Sequence, residues 1–223
     1  MFTINKTLPQ SQSNFTSVQS AINAVYSCGI NGPVTLRIAS GSGPYNEQVL
    51  FNGIVPGSNF INTVRLSGNT TREAITFLPT NSSAQYVIRL QATKCIILDS
   101  LTINNTGTSF GTGVHITSLS DSNFVQNSII NISLASTSFS NSAGIAISTI
   151  AANVTGAGNN GNTNTINNNT INGGYFGITA IGTNTTTFCL RNIITNNILN
   201  GQAYYGLYHF YQNFTKVNGN TID

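Results

Sequence analysis

The sequence predicts an all-β fold, a β-solenoid of about seven coils that begins with one amphipathic capping helix. Three observations carry this. Asn-Ser-Ile-Ile-Asn (127–131), Asn-Thr-Ile-Asn (169–172), Asn-Ile-Leu-Asn (197–200) and Asn-Thr-Ile-Asp (220–223) are copies of one pattern, and Asp-Ser-Leu-Thr-Ile-Asn (99–104) is a looser copy. A glycine marker keeps step with them. Gly113-Val114-His115-Ile116, Gly144-Ile145-Ala146-Ile147, Gly177-Ile178-Thr179-Ala180 and Gly206-Leu207-Tyr208-His209 each open a short apolar strand, about 30 residues apart. Finally, residues 161–174, GNTNTINNNTINGG, carry no charge and have only Ile166 and Ile171 as large apolar side chains. Such a stretch builds no core alone, but stacked copies place Ile on Ile and Asn on Asn. Short β-branched runs broken by Asn and Gly make the stacked unit a strand and not a helix.

Asparagine has a physical reason to recur at one place in each coil. It tolerates the left-handed backbone of a sharp corner, and stacked amides hydrogen-bond along a column. Asp99, Asn127, Asn169, Asn197 and Asn220 are therefore read as one structural corner ladder. The marker glycine sets the register of the following strand. Val114, Ile145, Ile178 and Leu207 face inward, and His115, Ala146, Thr179 and Tyr208 face outward, because side chains alternate along a strand.

The elements follow in order. Residues 2–8 are a lead-in. Within 13–28, Phe15, Val18, Ala21, Ile22 and Val25 form one apolar stripe of a helix over 14–27, capped by Ser13 or Asn14 and ended by Gly29 and Gly32-Pro33. Its expected role is to cover the end of the first coil, whose open edge would otherwise invite pairing. Strands are expected at 34–38, 45–50, 63–66, 74–78, 86–90 and 95–98, followed by the marked coils. The Gly-rich loop 151–163, including an exposed Asn160, is expected to bulge from the stack. The whole of 1–223 is one domain, with coils over 34–223.

Composition sets the class. Apolar residues are 39%, enough for a core, whereas charged residues are only 6%, far below the roughly 25% of ordinary domains. The surface is thus built of Asn, Thr, Ser and Gln, which suits an extracellular or cell-surface solenoid. The net charge of +3 comes from scattered basic residues, so nucleic acid is not an expected partner. No apolar run reaches membrane-spanning length, and Met1-Phe2-Thr3 is expected to lead directly into the fold without a signal peptide. The three cysteines, Cys28, Cys95 and Cys189, form neither a disulfide framework nor a zinc site. They read as small buried hydrophobes, with one pair able to bridge.

The run Asn14-Phe15-Thr16-Ser17, Ala21-Ile22-Asn23, Cys28-Gly29-Ile30-Asn31-Gly32-Pro33-Val34-Thr35 and Gly43-Pro44-Tyr45-Asn46-Glu47-Gln48-Val49 resembles the opening of right-handed parallel β-helix (pectin-lyase-like) modules in long secreted and surface proteins of Bacteroidetes. The resemblance implies a right-handed helix and an exported protein. The chain ends on Asp223 within a coil copy, so it is expected to be a segment of a longer protein. Its open last coil is expected to be covered by further chain or a partner.

The enzymes of this fold need two or more carboxylates at one lateral position on neighbouring coils. The acids are Glu47, Glu73, Asp99, Asp121 and Asp223, and their spacing supplies no such pair. No catalytic residue, metal ligand or cofactor is assigned. His115 and His209 fall on different faces, which excludes a shared metal. The aromatic run Tyr204-Tyr205-Gly206-Leu207-Tyr208-His209-Phe210-Tyr211 is the richest cluster. Outward rings on a rigid sheet stack on sugars, and the alternative is packing against a further coil. His115, Thr179 and Tyr208 are therefore candidate ligand-binding residues, with glycans or other surface proteins as partners. The expected function is a noncatalytic structural or adhesive module. The alternative is a polysaccharide lyase- or hydrolase-related fragment whose catalytic residues are missing.

Overall fold

The computed structural model describes residues 1–133, 139–150 and 153–223. Short strands stack into three parallel sheets of nine, seven and six strands, a right-handed parallel β-helix. Each coil visits the three sheets in turn. One example is Phe124–Gln126 in the nine-stranded sheet, Ile129–Ile132 in the seven-stranded sheet and Ser142–Ile147 in the six-stranded sheet. Six coils from Val34 onward place a strand in every sheet. A seventh adds Lys216–Asn218 and Thr221–Ile222.

The core is made of columns. Leu66, Leu98, Val125, Ile166 and Ile194 stack in register in the nine-stranded sheet. Ile75, Ile103, Ile130, Ile171 and Leu199 do so in the seven-stranded sheet. Ile88, Val114, Ile145, Ile178 and Leu207 form the third column. Nearly all are fully buried, and each contributes about 1.5–3 kcal/mol of transfer free energy. The marker glycine lies where two columns crowd. A Cβ on Gly113 would sit 2.4 Å from Ile130 Cγ2, and one on Gly144 would sit 2.2 Å from Ile171 Cγ2. No larger residue fits there without moving the seven-stranded sheet.

The cap helix runs over Val18–Cys28, with Ser17 as its N-cap accepting from the Ser20 N–H. The expected start at Ser13 or Asn14 is corrected. Asn14–Phe15 is a strand paired with Phe2–Ile4. The Asn14 amide instead bridges the carbonyls of Asn5 and Pro9 at 3.1 and 3.0 Å, and Phe15 packs edge-on against Phe2. The strand expected over 45–50 is broken at Glu47. The Glu47 carboxylate turns to accept from the Val18 and Gln19 N–H groups at 2.9 and 3.0 Å. It thereby satisfies orphan donors and complements the positive end of the helix dipole.

The corner ladder is present, but divided. The left-handed residue is Ser100, Asn127, Asn168, Asn196 or Gly219 in successive coils. The residue after it points into the coil, and Asn169, Asn197 and Asn220 occupy this inner position. The Asn169 Nδ2 donates to Asn197 Oδ1, and the Asn197 Nδ2 donates to Asn220 Oδ1, both at 2.9 Å. Each Oδ1 also accepts the backbone N–H one coil earlier. Asp99 and Asn127 belong to a separate outer column, in which Asn168 donates to Asn127 and Asn127 to Asp99. The sequence pattern merged the two because Asn occupies both. A second inner ladder, Asn123, Asn164 and Asn192, forms at the preceding corner of the same coils, after the left-handed residues Ser122, Thr163 and Arg191. A fourth column, Asn104, Asn131, Asn172 and Asn200, runs along the outer surface of the seven-stranded sheet.

Of the loop expected to bulge, residues 151 and 152 lie outside the described residues. The remainder folds back onto the six-stranded sheet. Val154 is buried and bonded through its N–H to Ser140 O. Asn160 is only 2% exposed, because its Nδ2 donates to Ile181 O at 2.7 Å.

Replacing Asn197 with Leu should cost about 1–3 kcal/mol and lower the melting temperature by several degrees. Asn160→Leu should be costly for the same reason, whereas exposed Asn159→Leu should change little. Thermal melts of the three variants check this, and equal melting temperatures would overturn the ladder's energetic role.

Candidate functional site

Four of the five acids are taken up by the fold, and Asp223 is exposed. Glu47 caps the helix. Glu73 accepts the Gly41 and Gly43 N–H groups, and the Gly41 bond leads in holding its carboxyl below the usual carboxylate range. Buried Asp99 pairs with the Arg65 guanidinium and accepts from Asn127 and Ser100. Asp121 accepts the Asn162 N–H at 2.8 Å and lies 3.8 Å from Lys94 Nζ. Among the described residues no group of three His, Cys, Asp or Glu side chains is placed to hold a metal ion. The three cysteines are free. Cys95 and Cys189 are buried, but Cys28 is exposed at the end of the helix.

The outward column of the six-stranded sheet has the expected register. His115, Ala146, Thr179 and Tyr208 are successive partners, and His209 pairs with Ala180 on the opposite parity. The column is not an open strip. Residues 149–150 and 153–160 cover most of it, so that His115, Ala146 and Thr179 are buried and only Tyr208 keeps partial exposure. Thr179 Oγ1 donates to Val154 O at 2.6 Å, which spends its hydroxyl on the loop. The expectation that His115 and Thr179 meet a ligand at the surface is corrected accordingly. The repeat pattern sets which side chains point out of a coil, and it does not show which loop returns over them.

Beneath that loop lies a buried polar group that the repeat pattern does not predict. Arg89 Nε donates to His115 Nδ1 at 3.2 Å, so the imidazole proton sits on Nε2 and is donated to Thr149 O at 3.1 Å. The Arg89 guanidinium lies 3.9 Å from the centre of the Tyr86 ring and also bonds Ser83 O. Burial, reinforced by the neighbouring guanidinium, holds the His115 pKa down at about 3. This histidine is a neutral structural acceptor for a buried cation.

Further along the same outward face, the surface becomes aromatic. Phe176 and Tyr205 are in register, with ring centres 6.3 Å apart at 25°. Tyr205 and Tyr208 are 5.9 Å apart at 13°, and Tyr208 contacts Phe210 at 5.0 Å. Tyr175 stacks on Tyr204 at 5.0 Å and 24°, and Phe139 packs edge-on against Tyr175, Phe176, Tyr204 and Tyr208. Phe176 is buried beneath this group with Ala143, Ala146 and Val154. Tyr204, Tyr205 and Phe210 are about half exposed. Tyr205, Leu207, Tyr208, His209 and Phe210 line a shallow depression of about 290 Å³. The adjoining Tyr205 hydroxyl raises the Tyr204 phenol pKa above its ordinary value, so that phenol is uncharged near neutral pH. Tyr175, Phe176 and Phe139 were not singled out from sequence. A signal for the first two was present, since Tyr175-Phe176 precedes Gly177 as Tyr204-Tyr205 precedes Gly206.

No family model and no curated protein matches the sequence. Solved structures match its shape. YbhC of Escherichia coli superposes with a TM-score of 0.55 at 11% identity, covering 99% of this chain and 71% of its own. The pectin methylesterase of Aspergillus niger in deglycosylated form gives 0.55 at 11% identity, covering 99% and 85%. At that identity the likeness is one of fold, and it agrees with the parallel β-helix described above.

His115 makes a pH prediction. Its folded pKa of about 3 lies below the unfolded value of about 6.5. The unfolded chain therefore takes up the proton first, and stability falls as pH drops from about 6.5 toward 3. Between pH 7 and pH 5 the protein should lose about 2 kcal/mol from this residue. His115→Gln, which keeps an acceptor for Arg89, should lose much less over the same interval. Denaturant titrations at the two pH values check it, and parallel losses in both proteins would overturn the assignment.

Proposed function

We propose that this chain is a noncatalytic β-helix module of a secreted or cell-surface protein, and that its tyrosine-rich face binds carbohydrate. The observation that carries the reading is the cluster of half-exposed rings fixed on the rigid six-stranded sheet. Aromatic faces offer flat apolar area, and the phenol groups add hydrogen-bonding edges. The sheet holds the rings with little ordering left to do on binding, which lowers the entropic cost of association. Tyr208 lies at the centre, in contact with Phe139, Phe176, Tyr205 and Phe210.

The noncatalytic part of the reading is supported by the structural use of Glu47, Glu73, Asp99 and Asp121, which leaves no pair of carboxylates facing one lateral position. The competing reading, a degenerate carbohydrate-active enzyme, draws on the fold shared with a pectin methylesterase, and fold alone does not assign activity. Extracellular placement is supported by the low charge and the polar uncharged surface. No helix among the described residues is long and apolar enough to cross a membrane.

The protein should bind on a glycan array, and Tyr208→Ala should weaken that signal about tenfold while leaving the protein folded. Incubation with methyl-esterified pectin should release no methanol, and polygalacturonate should give no unsaturated product. Turnover of either substrate would overturn the noncatalytic reading, and a blank array would overturn the carbohydrate one.

A further inference from the structure

Resting on the carbohydrate reading above, we propose that the aromatic face selects uncharged glycan chains and discriminates against polyuronates. The first ground is the chemistry of the face. The residues in ring contact are Phe139, Tyr175, Phe176, Tyr204, Tyr205, Tyr208, Phe210 and Tyr211, and His209 is the one other titratable side chain in the depression. Among the described residues no Lys, Arg, Asp or Glu lines it. A chain with a carboxylate on every sugar would have to shed water from those charges without gaining a cation, which is unfavourable.

The second ground is where the nearby cations are. Arg191 lies over the Phe214 ring, 6.0 Å from its centre, at the corner leading into the nine-stranded sheet. Lys216 is in a strand of that sheet. Arg89 is committed beneath the loop to His115, Ser83 and Tyr86. Bridging a polyuronate through a divalent cation would need protein carboxylates beside the rings. Glu47, Glu73, Asp99 and Asp121 are engaged elsewhere, at the helix cap, in turns and at a corner, and Asp223 follows the last strand of the seven-stranded sheet.

The third ground is geometric. Phe176, Tyr205 and Tyr208 follow one another at centre-to-centre steps of 6.3 and 5.9 Å with small interplanar angles. Tyr205 and Tyr208, both with exposed surface, therefore hold nearly parallel rings on which a sugar can stack. Such stacking is insensitive to salt, whereas recognition of a charged polymer is screened.

Native gel electrophoresis through gels containing either a neutral soluble β-glucan or polygalacturonate separates the possibilities. Expected is retardation by the β-glucan alone, unchanged between low and high salt, and reduced about tenfold in affinity in Tyr208→Ala. Phe214→Ala, away from the ring cluster, should behave as the unaltered protein and controls for general loss of aromatic surface. Retardation by polygalacturonate alone, weakened by salt, would overturn the selectivity and leave carbohydrate binding in place. Retardation by neither polymer, together with a blank glycan array, would overturn both.

Discussion

The fold depends on how each coil turns its corners. At both ends of the strand in the nine-stranded sheet, the backbone enters the left-handed region. Ser122, Thr163 and Arg191 do so at one corner, and Asn127, Asn168 and Asn196 at the other. Each such non-glycine residue costs of order 1–3 kcal/mol when nothing compensates. The tight turn also leaves backbone N–H groups facing the coil interior, where water cannot reach them. The inner asparagines answer this need. Their Oδ1 atoms accept the buried N–H groups of the coil before, and their Nδ2 groups bond an amide in the coil after, a backbone carbonyl, or both. The aliphatic columns supply most of the driving force for collapse, and the amides fix where the chain bends.

Much of this was readable in the residues, because the fold is periodic. The aliphatic column Val114, Ile145, Ile178 and Leu207 and its outward partners followed from alternation after the marker glycine. The ladder was readable in kind but not in position. Asparagine occupies both the left-handed position and the inward one, so the recurring Asn-Thr-Ile-Asn pattern leaves two registers open. Asn123, Asn164 and Asn192 escaped notice because their neighbours differ from coil to coil. Where periodicity stops, so did legibility. The return of residues 153–160 over the sheet uses the bonds of Val154 to Thr179 and Ser140 and of Asn160 to Ile181, which are made by residues outside the repeat.

The same register position thus serves three different ends. In one coil it holds His115, a neutral partner for a buried guanidinium. In the next two it holds Ala146 and Thr179, roofed by a loop. In the last it holds Tyr208, which meets solvent beside other rings. The coil supplies a constant frame, and the loops decide which of its outward side chains face water. A search for function in such a chain is better directed at loops and departures from the repeat than at the repeat itself.

The amide ladders are also polar. In the two inner ladders the amide-to-amide donation runs toward the later coil, from Asn123 to Asn164 to Asn192 and from Asn169 to Asn197 to Asn220, while the same Nδ2 groups also donate to backbone carbonyls of the coil before. In the outer ladders the direction is reversed, from Asn200 to Asn172 to Asn131 to Asn104 and from Asn168 to Asn127 to Asp99. Each column is a line of aligned dipoles in which one bond polarises the next, and columns of opposite sense largely cancel along the axis. The shorter outer line ends on the Asp99 carboxylate, so its aligned donors converge on a negative charge that Arg65 balances from the outside. A cylinder with almost no charged residues therefore still carries an internal electrical grain, and its one buried carboxylate sits where that grain favours a negative charge.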